Sequence, residues 1–440
     1  MDRVFRSLQR LLLLLGLATA WMPNRALAEP LTLELALQLA EQNARTLHAR
    51  RLETRAARDD WRSTMAQLGP RLQTDFNYQH WDQEIRFQID VPPEFQSLMP
   101  SVDSVIRQQD TYTASVSVIQ PLTPLVTIGL ASRLAALGVD QAVLQEIRDR
   151  RRIRLQTIDV FFGLIKARHG LAALESVRAA TEQHLQKAGF FFEQGLLKKD
   201  DLLRIEVQRD RVIQGLELTR VGAEVLASQL ALLVGRPLQS HIELIEPDRP
   251  QPLDEDLETC IVDALDRRPE IRQVRLAADM ARFARDIRIM DFVPQAVGLF
   301  NYTRTRETQF TTPESWFLGI NVSWTPWEWG KTFFATRAAQ SRLDAARAGL
   351  GDIEDLVRLE VKSLWLSART SHGNIERAGS SVAQARENLR IQTERFAQNM
   401  NTTTDILDAE TLLLQAENDL LSAVHEFRVA REKLLDSMGR

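Results

Sequence analysis

The chain repeats itself, and an internal duplication restricts architecture strongly, because each copy must fold into the same supersecondary unit. The segment FEQGLLKKDDLLRIE, residues 192–206, lies over FAQNMNTTTDILDAE, residues 396–410, so that position 192 maps onto 396. Phe192, Gln194, Asp201, Leu203 and Glu206 coincide with Phe396, Gln398, Asp405, Leu407 and Glu410. Nearer the start of each half, LGPRLQTDFNY overlies FVPQAVGLFNY, with Pro70 on Pro294 and Phe76, Asn77, Tyr78 on Phe300, Asn301, Tyr302. The spacing is larger there, which places an insertion in the first half. Residues 80–110, with three prolines and no sustained period, are the natural site for it and read as a long exposed loop.

Each half then runs helix, strand, loop, strand, very long helix, tight turn, helix. Residues 29–235 form the first repeat, with a hairpin at about 72–120 and a turn at 195–201; residues 257–440 form the second, with a hairpin at about 295–324 and a turn at 399–405. Residues 236–256, rich in proline, read as the linker or equatorial segment, with a short strand near Ile242 to Leu244. In the last helix Ile406, Leu413, Leu420, Phe427 and Leu434 recur every seven residues, with Ala409, Ala416, Ala423 and Ala430 between them. Large residues at one core position and alanine at the other make a close-packed coiled-coil seam. The preceding helix, from about Lys331 to Gln398, lacks proline and would reach about 100 Å if continuous. Gly170 and Gly373 fall near the middle of the two long helices as candidate bends. At the turns, Gly195 and Asn399 suit a left-handed helix end, and an aspartate six residues later, Asp201 or Asp405, is placed to cap the next helix.

The strands alternate. Leu72, Phe76 and Tyr78 oppose Gln73, Asp75 and Asn77; Tyr112, Ala114, Val116 and Val118 oppose Thr113, Ser115 and Ser117; Trp316, Leu318, Ile320, Val322 and Trp324 alternate with smaller or polar residues. Such a sheet either packs one face on helices, as soluble antiparallel sheets do, or turns that face to lipid around an aqueous lumen. Three features favour lipid. Arg3, Arg6 and Arg10 precede a short apolar run that ends at Ala26-Leu27-Ala28, which reads residues 1–28 as a secretory signal. Tyr78, Tyr302, Trp324, Trp327 and Trp329 gather at strand ends like interfacial girdles. The helices, finally, already bury their seams on one another. With 26% charged residues and no apolar stretch of membrane-helix length expected beyond residue 28, a polytopic helical membrane protein is excluded, and membrane entry must be as strands. Four strands do not close a barrel, since about eight are needed, so several chains must share one; three would supply about twelve strands.

The duplicated plan and the two turns, FEQGLLKKDDLL and FAQNMNTTTDILDAE, resemble the TolC-type outer-membrane efflux proteins (outer membrane factors) over residues 29–440. The resemblance implies a mainly α fold with a small transmembrane β part, four strands per chain in a shared twelve-stranded trimeric barrel. It implies a cell outer-membrane location with a large periplasmic part. The function it implies is the channel subunit of a tripartite efflux or type I secretion system, a passive homotrimeric duct that opens at its periplasmic tip. A periplasmic adaptor and an inner-membrane pump would be its partners. By the same resemblance Asp405 and Asp408 match the pore constriction, and Gly195, Leu196, Leu197, Asp200, Asp201, Asn399, Met400 and Asn401 match the tip turns that contact the adaptor. Phe396 and Asn401 replace the tyrosine and arginine that latch the family's gate, so a hydroxyl bond and a salt bridge are lost; pairing of Lys198 or Lys199 with carboxylates is one substitute.

Competing readings remain at single residues. Asp405 doubles as an N-cap, with Asp408 at the third helical position. The run RDRRRIR, residues 148–154, reads as a solvated coil face in preference to a polyanion site. The seven histidines lack i, i+4 pairs, and Cys260 is the lone cysteine, so no metal site or disulfide is expected. No cofactor fingerprint or catalytic motif is present, which argues against an enzyme. A net charge of −4 gives no reason to expect nucleic acid. The alternative function is a periplasmic coiled-coil adaptor or scaffold without a membrane barrel.

Overall fold

The computed structural model describes residues 30–95, 97–247, 255–308, 312–398 and 400–439. The signal segment 1–28, Asn399 and part of the proline-rich linker lie outside the described residues. The chain divides into two compact units, one of residues 46–149 and 262–359, the other of 30–45, 150–261 and 360–439 within that description.

In chain order the elements are α1 (Leu33–Asn43), α2 (Arg45–Ala66), β1 (Arg71–His80), β2 (Ile85–Ile89), β3 (Val102–Pro121), α3 (Pro124–Glu193), α4 (Lys199–Leu233), α5 (Leu257–Arg267), α6 (Pro269–Met290), β4 (Gln295–Thr308), β5 (Glu314–Ser323), α7 (Lys331–Ala397) and α8 (Thr403–Ser437). The sheet is antiparallel in the order β1-β3-β4-β5, with β2 paired to the outer part of β3. Among the described residues, five strands therefore stand in place of the expected four. The segment Ile85-Arg86-Phe87-Gln88-Ile89 alternates over only five residues, and prolines 92 and 93 beyond it hid a strand that pairing with residues 102–107 stabilises. The supposed loop at 80–110 is largely a second hairpin. Trp324 falls just past the end of β5.

The unit built on residues 30–45, 150–261 and 360–439 is a helical coil around a core that includes Phe161, Leu164, Leu230 and Leu31. Its seam on α8 is as spaced: Ile406, Phe427 and Leu434 are buried, as are Ala409, Ala416, Ala423 and Ala430. Neither central glycine interrupts its helix. Gly170 faces α4 instead, with Thr219 3.8 Å from where a Cβ would stand, so it serves close helix approach. The expected strand at 242–244 is a single parallel bridge between Leu31 and Leu244, flanked by Leu31 N–H donating to Glu243 O (2.7 Å) and Ile245 N–H to Leu31 O (3.0 Å). Gly235 ends α4 with φ +76°, and a Cβ there would collide with Asn43 at 2.5 Å, whose amide donates to Val234 O at 3.0 Å. Only glycine fits both demands.

Of the arginine run, Arg150 and Arg154 pair with Glu41 and Arg151 with Asp436, so these cations are already matched within the fold. In contrast to the sequence expectation, one helix among the described residues, α3, contains a stretch long and apolar enough by composition to cross a membrane; few of its residues are fully buried and most are half-buried in the single chain. Composition alone is weak evidence for a span.

Candidate functional site

Sheet register decides what alternation by itself leaves open. Leu72 stands opposite Val118, Val118 opposite Phe300, and Phe300 opposite Leu318; one pair along, Phe76 meets Ala114, and Val116, Tyr302 and Trp316 align. Four apolar half-strands thus merge into one continuous face, because pleating sends every second side chain to the same side. The opposite face carries Gln73, Asp75, Asn77, Ser115, Ser117, Asn301 and Thr303, with Asn301 donating to Ser117 Oγ at 2.9 Å. No described helix covers the apolar side: Trp316 is 70%, Leu318 75% and Ile320 70% exposed. A soluble sheet seated on its own helices would bury these positions. At the described ends of the sheet, β1 and β5 each leave an outer edge without a partner, the arrangement that invites pairing with another chain.

Most of the aromatic residues expected at an interface lie near or beyond a strand end. Tyr78 ends β1 and stacks on Tyr112 at 5.2 Å; Trp324, Trp327 and Trp329 follow β5 and are 60%, 70% and 87% exposed. Trp327 and Trp329 meet edge to face at 5.9 Å, and a left-handed Trp329-Gly330 turn projects them, with Phe333 and Phe334 adding two further exposed rings at the start of α7. Tyr302 is only half-buried within β4, so it belongs to the wall more than to its end.

The helical tips lie in the other unit. Gly195 takes φ +70°, its N–H donates to Phe192 O at 3.0 Å and that of Leu196 to Phe191 O at 2.8 Å, which closes α3 in the manner of a Schellman turn. Leu196 and Met400 are strongly exposed, at 61% and 71%, and Leu197 is half-buried. Asp200 and Asp201 occupy the first turn of α4, where the helix dipole favours them. Asp201 is not a cap: Lys198 holds that position without a side-chain bond. Neither Lys198 nor Lys199 forms an ion pair among the described residues. Asn401 bonds back to α7, its amide donating to Gln392 O (3.0 Å) and Gln392 Oε1 (2.9 Å).

Asp405 is corrected in role. Thr402 is the N-cap of α8, and Asp405 stands three residues on, its carboxylate accepting from the Thr402 N–H (2.8 Å) and hydroxyl (2.7 Å). This is a capping box, with the shorter Asp in place of the usual Glu. The bonds from Thr402 hold the Asp405 carboxyl below the usual carboxylate range. Asp408, one turn on, is exposed and free of any ion pair among the described residues. Both carboxylates therefore share one helix face, one bound locally and one available.

Sequence reasoning missed what ties the tips together. His184 of α3 lies 3.1 Å from Glu410 of α8, both buried, with the Thr181 hydroxyl 3.4 Å from the other carboxylate oxygen. Phe396 of α7 meets His184 edge-on at 6.4 Å and Phe191 at 6.2 Å. Arg204 of α4 donates to Thr404 Oγ1 at 3.1 Å. The signal was the coincidence of Glu206 with Glu410 in the two repeats, but the partner histidine is remote in sequence.

Fold and site together define a class: mainly helical proteins with two hairpin-bearing repeats, a small antiparallel sheet with a bare apolar face, and long coiled coils. Residues 260–440 match the family described as Outer membrane efflux protein. The chain is 25% identical over 340 residues to the alkaline protease secretion protein AprF of Pseudomonas aeruginosa, covering 74% of this chain and 69% of that one. To the outer membrane protein TolC of Escherichia coli it is 21% identical over 322 residues, covering 69% and 64%. The Campylobacter jejuni CmeC outer membrane channel superposes with a TM-score of 0.80 at 13% identity, over 92% of this chain and 85% of that one. The chain is thus similar along most of its length to TolC-type outer-membrane efflux proteins.

Proposed function

We propose that the chain is the outer-membrane channel subunit of a tripartite efflux or type I secretion system, a passive homotrimeric duct. The observation that carries it is the antiparallel sheet whose strands β1, β3, β4 and β5 share one bare apolar face and leave two open edges. Three copies joined β5 to β1 would turn every apolar face to lipid and leave no edge, giving a twelve-stranded barrel; β2 would stand outside it, since it pairs only beyond the shared register.

In this reading residues 1–28 are removed, 29–235 and 257–440 are the repeats, and 236–256 join them. The exposed Leu196, Met400 and neighbouring turn residues meet the adaptor, and the inner-membrane pump supplies the energy. Asp405 and Asp408 line the constriction, and the His184–Glu410 pair, with Phe396 and Arg204, stands where the family's hydroxyl bond and salt bridge are missing. The relative named for alkaline protease secretion favours polypeptide cargo as one option within the same duct. The rival, a scaffold without a barrel, leaves the exposed strand face unexplained.

Native mass spectrometry from mild detergent, followed by planar-bilayer recording, tests the proposal. A trimer with discrete conductance steps is expected. A monomer, or a trimer without conductance even at high voltage, would overturn it.

A further inference from the structure

The helical unit of residues 150–261 and 360–439 contains a cavity of about 500 Å³ that the duct does not use. It lies between the middle of α3, the later part of α7 and α8, with Glu246 of the linker among its lining residues. Every lining residue comes from that one unit, so no second copy is needed to build it. The volume suits a small organic ligand.

Its walls are apolar, with Phe162, Ile165, Ile375, Leu420, Leu421 and Val424 facing the space. Set into them are two cations, Lys166 and Arg428, against one carboxylate, Glu246. Three of the chain's seven histidines, His169, His372 and His425, converge here although they are remote in sequence, together with Lys166 and Arg428. The one carboxylate is already used. Glu246 takes His169 Nε2 at 2.8 Å and Arg428 Nη1 at 2.9 Å, and Arg428 donates its other nitrogen to Pro247 O at 3.0 Å. Lys166 is left half-buried beside apolar walls with no ion pair among the described residues. An ammonium beside apolar walls without a counter-charge offers an anion entering the cavity a direct partner.

We propose that this cavity is a binding site for an amphipathic organic carboxylate, an aryl or medium-chain alkyl acid. Its carboxylate pairs with Lys166, and its hydrocarbon body lies against Ile375, Leu421 and Val424. Other ligand classes fit less well. Inorganic oxyanions would leave six apolar side chains without contact. A metal ion would meet Lys166 and Arg428 as like charges, and no cluster of metal-ligating residues is present among the described residues. A neutral molecule would leave Lys166 as it is.

The test is a ¹⁹F NMR titration of 4-(trifluoromethyl)benzoate into the intact protein in a neutral maltoside detergent, with empty micelles and 4-(trifluoromethyl)benzamide as controls. Saturable binding of the benzoate is expected. It should weaken about tenfold or more in Lys166→Met and for the amide, persist in Lys166→Arg, and vanish in Val424→Trp, which fills the space. Circular dichroism and oligomeric state report whether each variant is folded, and Lys166→Gln replaces Lys166→Met if the latter is not. Titration by the folded wild type that matches empty micelles, or affinity unchanged in the folded Lys166 and Val424 variants, overturns the proposal. Because the readout is binding, its failure leaves the conductance test of the duct unaffected.

Discussion

Asp408 should dominate the ion preference of the channel, because the Asp405 carboxylate is engaged by Thr402 while that of Asp408 is free. Around a threefold axis three such carboxylates form a cation-attracting ring. In planar bilayers, Asp408→Ala should reduce cation selectivity and sensitivity to divalent ions more than Asp405→Ala does; equal or absent effects would remove the ring. Asp405→Ala should act instead on the helix end, where loss of a capping partner is worth about 1 kcal/mol. His425 carries a second expectation. Burial, reinforced by Lys166, pushes its imidazole below the usual histidine range. Below about pH 6.5 the unfolded chain therefore binds a proton that the folded chain resists, so this contribution is present above that pH and lost as pH falls through it. Glu246 stays ionised across that window: burial raises its carboxyl, but hydrogen bonds from His169 and Arg428 outweigh burial and leave it low. Thermal melting from pH 8 to 5.5 should show a drop in stability that is smaller in His425→Phe. An identical pH profile in the variant would exclude His425 as its source.

At the scale of elements, the sheet offers the sharpest contrast between neighbours. Ile320 lies on the apolar face and Asn321 on the other, and both are exposed in the single chain. If lipid covers only the first, Ile320→Arg should cost about 2–4 kcal/mol near the bilayer midplane while Asn321→Arg costs little. Urea titration of the reconstituted protein, with folding followed by tryptophan emission, makes the comparison; equal costs would argue for water on both faces. Strand existence was legible wherever alternation ran for seven residues or more, as in Leu72 to Tyr78 and Trp316 to Val322. β2 was not, since five residues beside two prolines carry too little pattern to outweigh their loop-like surroundings. Its partner, the outer part of β3, is what makes it a strand. The tips divide in the same way. Gly195 announced its turn, whereas the N-cap of α8 was misassigned because Thr402, Thr403, Thr404 and Asp405 are all competent caps by composition.

For the whole molecule, the apolar strand face makes a single chain in water an incomplete object. Membranes from expressing cells should therefore retain the protein through high salt and alkaline carbonate washes and release it only to detergent. Quantitative release by carbonate alone would favour the adaptor or scaffold reading. Detergent release as a trimer, with the His184–Glu410 pair and the Arg204–Thr404 contact intact at each tip, is the expected resting form.

Periodicity determined the repeats, the helices, the heptad seam on α8 and the alternating faces of the longer strands, because each is a local rule that repeats along the chain. Pairing determined the rest. That four alternating strands line up their apolar positions, that His184 reaches Glu410, and that three distant histidines surround one cavity with Lys166 all depend on contacts between residues far apart in sequence. No local period encodes those distances; only the packed chain brings them within reach.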